Sequence, residues 1–355
     1  DYAKSAAWAD KYLKQVPGDE AMRTLQVQAQ YLANDFAAAA KNLGTLIAAA
    51  EKAGKPVEEE QIQLLASIAI KQKDDAGYVA ALEKMVRHHP KPEYWQDLIV
   101  RTVKKPNVNR DRLSLDIFRL MRATGTLTEA ADYVEMAELA MAGTLPAEAK
   151  AVLAEGIAAG LLGQGADADR QKRLLARAHQ QAAEDGKTLD ATAAEVGKAA
   201  TGGPAIRVGE AYASHGQYDK AVDLIRQGLA KGGLKHPEDA KLHLARIQLT
   251  AGQRDAALET LKTVGGTDGT AELARLWSIV AAAPAGIAAT LDLGSASVVI
   301  ANAADSAITL SAYSDGGLNS TGLTVTALYG ATGSQALSAT GSTGTVVDNP
   351  ASGSI

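Results

Sequence analysis

The sequence predicts a mainly α chain: a superhelical solenoid of paired helices over residues 1–283, followed by a small antiparallel β module over residues 290–355. Three observations lead there. Apolar and small residues recur at helical spacing as far as Ala283. A helix–turn–helix unit repeats, with Gly216 and Gly252 standing 36 residues apart in equivalent turns. Charge then stops: all 36 Lys and Arg precede Ala285, whereas Ala285 to Ile355 hold four aspartates and no other charged residue.

In chain order, "SAAWADKYLKQVPGD" reads as a second helix closed by its Pro-Gly turn, so the chain starts at Asp1 partway through a unit and implies sequence upstream. "QYLANDFAAAAKNL" and "AGYVAALEKM" carry a turn and second helix, and "YWQDL" carries a first-helix start with Trp95 and Leu98. Residues 110–123 and 169–185 fit the spacing poorly and predict that some hairpins are longer or irregular. "DYVEMAELAMAGTLPAEAKAVLAEGI" places Tyr133, Met136, Ala137 and Ala140 on one helix face, and Ala149, Leu153, Gly156 and Ile157 on the next. "AIRVGEAYASHGQYDKAVDLIRQGLAKG" is the clearest unit. Val208, Gly209 and Tyr212 face Ala221, Ile225, Gly228 and Leu229 across a turn that contains Gly216. "LARIQLTAGQRDAALETL" repeats it with Leu244, Ala245, Gly252, Ala257 and Leu261. Leu276 to Ala283 is the last helix, and Trp277 and Ile279 give it an apolar docking face at the solenoid's end.

These residues resemble tetratricopeptide repeats, helical hairpins of about 34 residues with a W-x2-L-G-x2-Y first helix and an A-x3-F second helix. Small residues, here Gly209 or Ala137 opposite Ala221 or Ala149, let the two helices approach closely. The resemblance implies a superhelix whose concave groove takes a protein or peptide. Its groove-facing positions here are Val134, Glu138 and Met141, then Ile206 and Glu210, then Leu242 and Arg246. One branch of the family grips a C-terminal carboxylate with Lys and Asn on first helices; no such pair recurs here.

From Thr290 the apolar period becomes two, in short β-branched runs such as "SVVIANA", "AITLSAYS" and "GLTVTALYG" separated by Gly, Ser, Asn and Asp turns. Pro284 and Gly286 mark a hinge over residues 284–289. The module has few large apolar residues and edges without lysine, so its strands are expected to pair with another chain or with the solenoid. The composition is similar to that of bacterial surface fibres and pilins, and the abrupt junction is equally that of two unrelated segments joined in one chain. One sequon, Asn319-Ser320-Thr321, offers a glycosylation acceptor.

Several functions are excluded or disfavoured. A net charge of −5 argues against nucleic acid as the main partner. The longest uncharged apolar stretch, Leu276 to Leu291, is broken by Pro284 and Gly286 and is too short to span a bilayer. With no cysteine, thiolate chemistry and disulfides are impossible. The six histidines form no HExxH or HxxxH pattern. His88-His89 reads as a helix end and His236 as a helix start, with His243 two turns on. Asp167 and Asp169 lack the glycine and glutamate of a calcium loop. "GLLGQG" follows no strand, and "LDLGSAS", although similar to an actin-type phosphate loop, lacks the lobes that fold needs. The expectation is a non-enzymatic protein-interaction scaffold of the bacterial periplasm or exterior, without cofactor or metal, attached or assembled through its β segment. Its alternatives are a self-assembling filament or surface-layer subunit, and an adaptor for an enzyme whose catalysis lies elsewhere.

Overall fold

The computed structural model describes residues 1–283 and five strand segments beyond them. The hinge at 284–289, the "LDLGS" turn and the Asn319 sequon lie outside the described residues. The chain divides into two compact units, Asp1–Ala282 and Ala283–Ile355.

The first unit is helical. Its α-helices are α1 (Tyr2–Gln15), α2 (Glu20–Leu32), α3 (Phe36–Lys52), α4 (Glu59–Gln72), α5 (Asp75–His88), α6 (Pro92–Val103), α7 (Arg110–Ala123) and α8 (Ala130–Ala142). They continue as α9 (Pro146–Ala158), α10 (Ala168–Glu195), α11 (Gly203–Ser214), α12 (Tyr218–Lys231), α13 (Pro237–Thr250), α14 (Arg254–Lys262) and α15 (Thr270–Ala282). The starts follow capping chemistry. The carboxylates of Asp19, Asp35 and Asp74 accept from the amides of Met22, Ala38 and Gly77 at 2.9, 3.1 and 2.9 Å. Pro92, Pro146 and Pro237 each stand at a first helical position, where no intrahelical donor is lost.

Five hairpins share one turn. Between α2 and α3, α4 and α5, α8 and α9, α11 and α12, and α13 and α14, one residue takes a left-handed conformation: Asn34, Lys73, Thr144, Gly216 and Gly252. The next amide then reaches back to a carbonyl five residues earlier. Asp35 donates to Gln30, Asp74 to Ala69, Leu145 to Ala140, Gln217 to Tyr212 and Gln253 to Gln248, all at 2.8–2.9 Å. This is the Schellman closure of a helix end, and its recurrence fixes the angle at which each second helix returns. Close approach then depends on small residues. A Cβ placed on Gly209 would lie 2.6 Å from Ile225 Cγ1 and 3.1 Å from the Ala221 carbonyl oxygen.

The segment at 110–123 departs from this plan, as its spacing suggests. The helices α6 and α7 are joined by residues 104–109 and not by the short shared turn. The segment at 169–185 lies within α10, a single helix of 28 residues with a narrow buried stripe of Gln171, Ala178, Ala182 and Leu189. Tyr212 Oη donates to Asp190 at 2.5 Å, and His215 Nε2 lies 2.9 Å from Asp185, so α10 is tied to α11.

The array closes on itself. One apolar core joins Val27, Leu43, Ile62, Leu82, Trp95, Leu113 and Leu120 with Leu242, Leu261, Leu273, Trp277 and Ile279. A second joins Tyr133, Met136, Leu153, Tyr212, Ile225 and Ile247. The first cluster unites the early helices with the last three, so α15 packs against α5 and α7 as well as α13 and α14. The docking face expected of Trp277 and Ile279 is therefore occupied by the chain itself, with both side chains buried.

The second unit contains strands β1 (Ser297–Ala301), β2 (Ile308–Leu310), β3 (Thr324–Tyr329), β4 (Gly333–Ser338) and β5 (Gly344–Val346). β3 pairs antiparallel with β4, and β2 with β5. β1 pairs in parallel with β3, in register Ser297 to Thr324. That corrects the expectation of purely antiparallel pairing. The 22 residues between β1 and β3 are long enough for the return that a parallel pair requires.

Candidate functional site: a buried charge cluster on the inner helices

The closure brings together the most buried charges among the described residues. On α7 the apolar stripe Leu113–Leu120 is interrupted by Asp116 and Arg119, both of which are buried. Arg119 meets Glu148 of α9 side-on, with Nε at 2.8 Å from Oε1 and Nη2 at 2.6 Å from Oε2, while its Nη1 donates to Asp116 at 3.0 Å. His243 of α13 sits between two carboxylates. Its Nε2 is 3.0 Å from Asp116, and its Nδ1 contacts Glu210 of α11. Arg246, one turn along α13, completes the set; its buried Nε has no hydrogen-bond partner.

Three carboxylates thus face two guanidiniums and one imidazole, and the set is neutral when the imidazole carries its proton. Burial alone would expel that proton, but Asp116 and Glu210 outweigh it and push the His243 pKa up to about 10. Burial likewise opposes ionisation of Glu148, yet Arg119 holds its carboxyl down at about 2. Asp116 and Glu210 are also held below their ordinary range against burial, mainly by His243. Arg119 is raised because Glu148 and Asp116 outweigh its burial, whereas Arg246 is lowered by burial and by Arg119. Such a cluster is fitted for holding helices in register.

Around this cluster, loop contacts seal α7 to the last helices of the first unit. The Asn109 amide donates to the Asp268 carbonyl at 2.8 Å, and Asn107 Nδ2 donates to Glu272 Oε1 at 2.8 Å. Arg112 spans Asp239, Asp268 and Thr270, with its Nη2 2.6 Å from Asp268 Oδ2. Arg275 pairs with Glu83 of α5. The left-handed Gly269 lies where a Cβ would come within 2.8 Å of Val108 Cγ1.

The groove candidates fall into two groups. Glu210 and Arg246 belong to the cluster, and Ile206 and Leu242 are buried core residues. These four line no open groove: Ile206 packs at Gly228 of α12, Glu210 meets His243 of α13, Leu242 shares a core with Leu113 and Leu120 of α7, and Arg246 lies among the cluster's carboxylates. Val134 and Met141 on α8 are half-buried against the second core. Glu138 is exposed and pairs with Arg170 at 2.9 Å. Asp116, Arg119 and Glu148 were not singled out by sequence reasoning, and His243 was weighed there only as a partner of His236. Their signal was a charged residue at an apolar-stripe position, as in Leu113–Asp116–Leu120. Apolar surface also remains open between α1 and α2, where Tyr2, Trp8, Leu25 and Leu32 are all more than half exposed. Among the described residues no group of His, Asp and Glu is arranged to hold a metal ion, and no helix is long and apolar enough to cross a membrane.

A family model described as "Tetratricopeptide repeat" matches residues 212–283. Among solved structures, the chain is similar to a tetratricopeptide repeat protein from Parabacteroides merdae, at 11% identity and TM-score 0.24, covering 78% of this chain and 92% of that one. It is also similar to the TPR2AB domain of yeast Sti1 in complex with pHSP90, at 12% identity and TM-score 0.21, covering 79% and 98%. No curated protein matches. The recurring hairpins, their shared turn and the family match together make the helical part of this chain a tetratricopeptide-like helical solenoid.

Proposed function

We propose that the chain is a non-enzymatic scaffold that binds a protein or peptide segment through its first helices. The observation that carries this reading is the repeated hairpin, whose rigid turns hold successive first helices in a fixed array. With Glu210, Leu242 and Arg246 covered, the remaining candidate contacts are Val134, Glu138 and Met141 on α8. The test is selection of peptides from a display library against the purified chain, followed by Met141→Asp. Binders that protect α8 from hydrogen exchange and lose affinity in the variant support the reading. Binders indifferent to α8 refute the assignment of the surface, and an array that selects none refutes the scaffold.

The C-terminal strands are proposed to attach the scaffold to another chain by edge pairing, at the bacterial envelope or exterior. What supports this is the lysine-free, Gly/Ser/Thr-rich composition after Ala285. Truncation at Pro284 should abolish assembly measured by sedimentation; an unchanged oligomer would overturn the idea. Fibre growth by the purified chain alone would instead favour a filament subunit.

A further inference from the structure

We infer that α7 is a built-in occupant of the groove formed by α11 and α13, an intramolecular strap that a partner helix must displace to reach that face. The inference rests on the scaffold reading and adds a regulated second surface to it.

Four observations converge. First, Glu210, Leu242 and Arg246 stand at the inner positions of first helices, and the chain covers them with a helix of its own. Asp116 of α7 meets His243, and Arg112 of α7 meets Asp239, across 127 residues of sequence in each case. Second, α7 is released from the hairpin plan at its N-terminal side. Residues 104–109 join it to α6 without the shared turn, although at its other end the left-handed Gly125 and the Thr126 amide on the Met121 carbonyl at 2.9 Å repeat that closure. Third, two of the four buried residues on it are charged, beside the partly buried Leu115, Ile117, Phe118 and Met121 that pack on the two cores. Leu113, Asp116, Arg119 and Leu120 are buried on α7, whereas the buried residues of α9 are Pro146, Ala149, Val152, Leu153 and Gly156. A buried charged joint costs desolvation that an apolar joint does not, so its net hold on the helix is smaller than its pairing alone suggests. Fourth, its ends are held by polar contacts that are partly open to solvent, Arg112 with Asp268 and Arg122 with Glu155. A partner that replaced α7 would be a helix carrying an acidic and a basic residue one turn apart between two leucine-like anchors.

Hydrogen exchange of the whole chain, read by mass spectrometry, tests the strap. If α7 opens by itself, its amides exchange at least about tenfold faster than those of α8 and α12. Arg112→Gln should speed α7 by a further several-fold and leave α8 and α12 unchanged. Exchange of α7 at the rate of α8 and α12, in both the unaltered chain and the variant, would overturn the proposal. A labelled synthetic peptide of residues 105–126 is then titrated into both proteins. Binding that is tighter to Arg112→Gln supports displacement, and no binding to either overturns it. Neither readout requires an external partner, so failure of the scaffold reading would be seen separately in the display selection.

Discussion

Replacing Arg119 by methionine should be the most damaging single change on α7. The side chain is only 4% exposed, and its partner Glu148 is 11% exposed, so water cannot take over the lost hydrogen bonds. Methionine fills much of the same volume but leaves Glu148 and Asp116 without three charge-assisted hydrogen bonds. Two independent routes give the size. The Glu148 carboxyl sits at about 2 against an ordinary 4.5, a gap worth about 3 kcal/mol at about 1.4 kcal/mol per tenfold. Breaking a buried pair by removing one partner costs about 3–5 kcal/mol in general. The expected loss is therefore about 3 kcal/mol, read from urea unfolding followed by circular dichroism at pH 7. Arg122→Met is the control. It lies on the same helix and reaches Glu155 at a similar 2.7 Å, but that pair is 31% and 41% exposed, so its loss should stay below about 1 kcal/mol. Equal losses in the two variants, or a loss under about 1 kcal/mol for Arg119→Met, would refute the claim that burial gives the cluster its strength.

Three further predictions rest on the same geometry. Because the His243 pKa is raised from 6.5 to about 10, its contribution is complete below about pH 6.5 and is lost as pH rises toward 10. A urea midpoint that falls across that window, and a flattened slope in His243→Gln, are expected; an unchanged slope refutes the assignment. Gly209→Ala would push a Cβ to 2.6 Å from the fully buried Ile225, costing about 1–3 kcal/mol by overpacking; a thermal midpoint equal to the unaltered chain would count against the close α11–α12 approach. Thr144, exposed and β-branched, holds a left-handed conformation with φ of 62°; Thr144→Asn should raise stability by about 0.5–1 kcal/mol, and a loss would mean that the turn is not strained.

Much of the hairpin plan was legible because its chemistry is local. Gly216 and Gly252 announce their turns, and Gly209 and Ala137 announce where helices touch. The matching turns at Asn34, Lys73 and Thr144 were not announced by glycine, since Asn34 tolerates the left-handed conformation and the Schellman hydrogen bond imposes it on Lys73 and Thr144. Closure was illegible for a different reason. A repeat predicts packing between neighbours, whereas α15 meets α5 and α7 far back along the chain. The same limit misassigned Ile206, Leu242, Trp277 and Ile279, whose apolar character fits an open docking face and a buried core equally well. The irregular segments at 110–123 and 169–185 were visible as departures from the pattern, and these departures mark α7 and the long α10.

The charge cluster explains why one helix can be both out of pattern and firmly placed. Apolar packing alone would tolerate α7 sliding along the inner face, since Leu113 and Leu120 could find other hollows there. Asp116 and Arg119 remove that freedom, because a slip of one turn would bury Glu148, Glu210, His243 and Arg246 against unmatched neighbours. An unpaired buried charge costs several kcal/mol, more than a leucine settling into a new hollow could recover. The three positive and three negative groups therefore act as a key for register, and register alone decides which surface of α11 and α13 is covered. A double variant that replaced Arg119 and Glu148 with leucine and methionine should recover most of the stability lost in Arg119→Met. It should also let α7 exchange its amides faster, separating how strongly the helix is held from how uniquely it is placed.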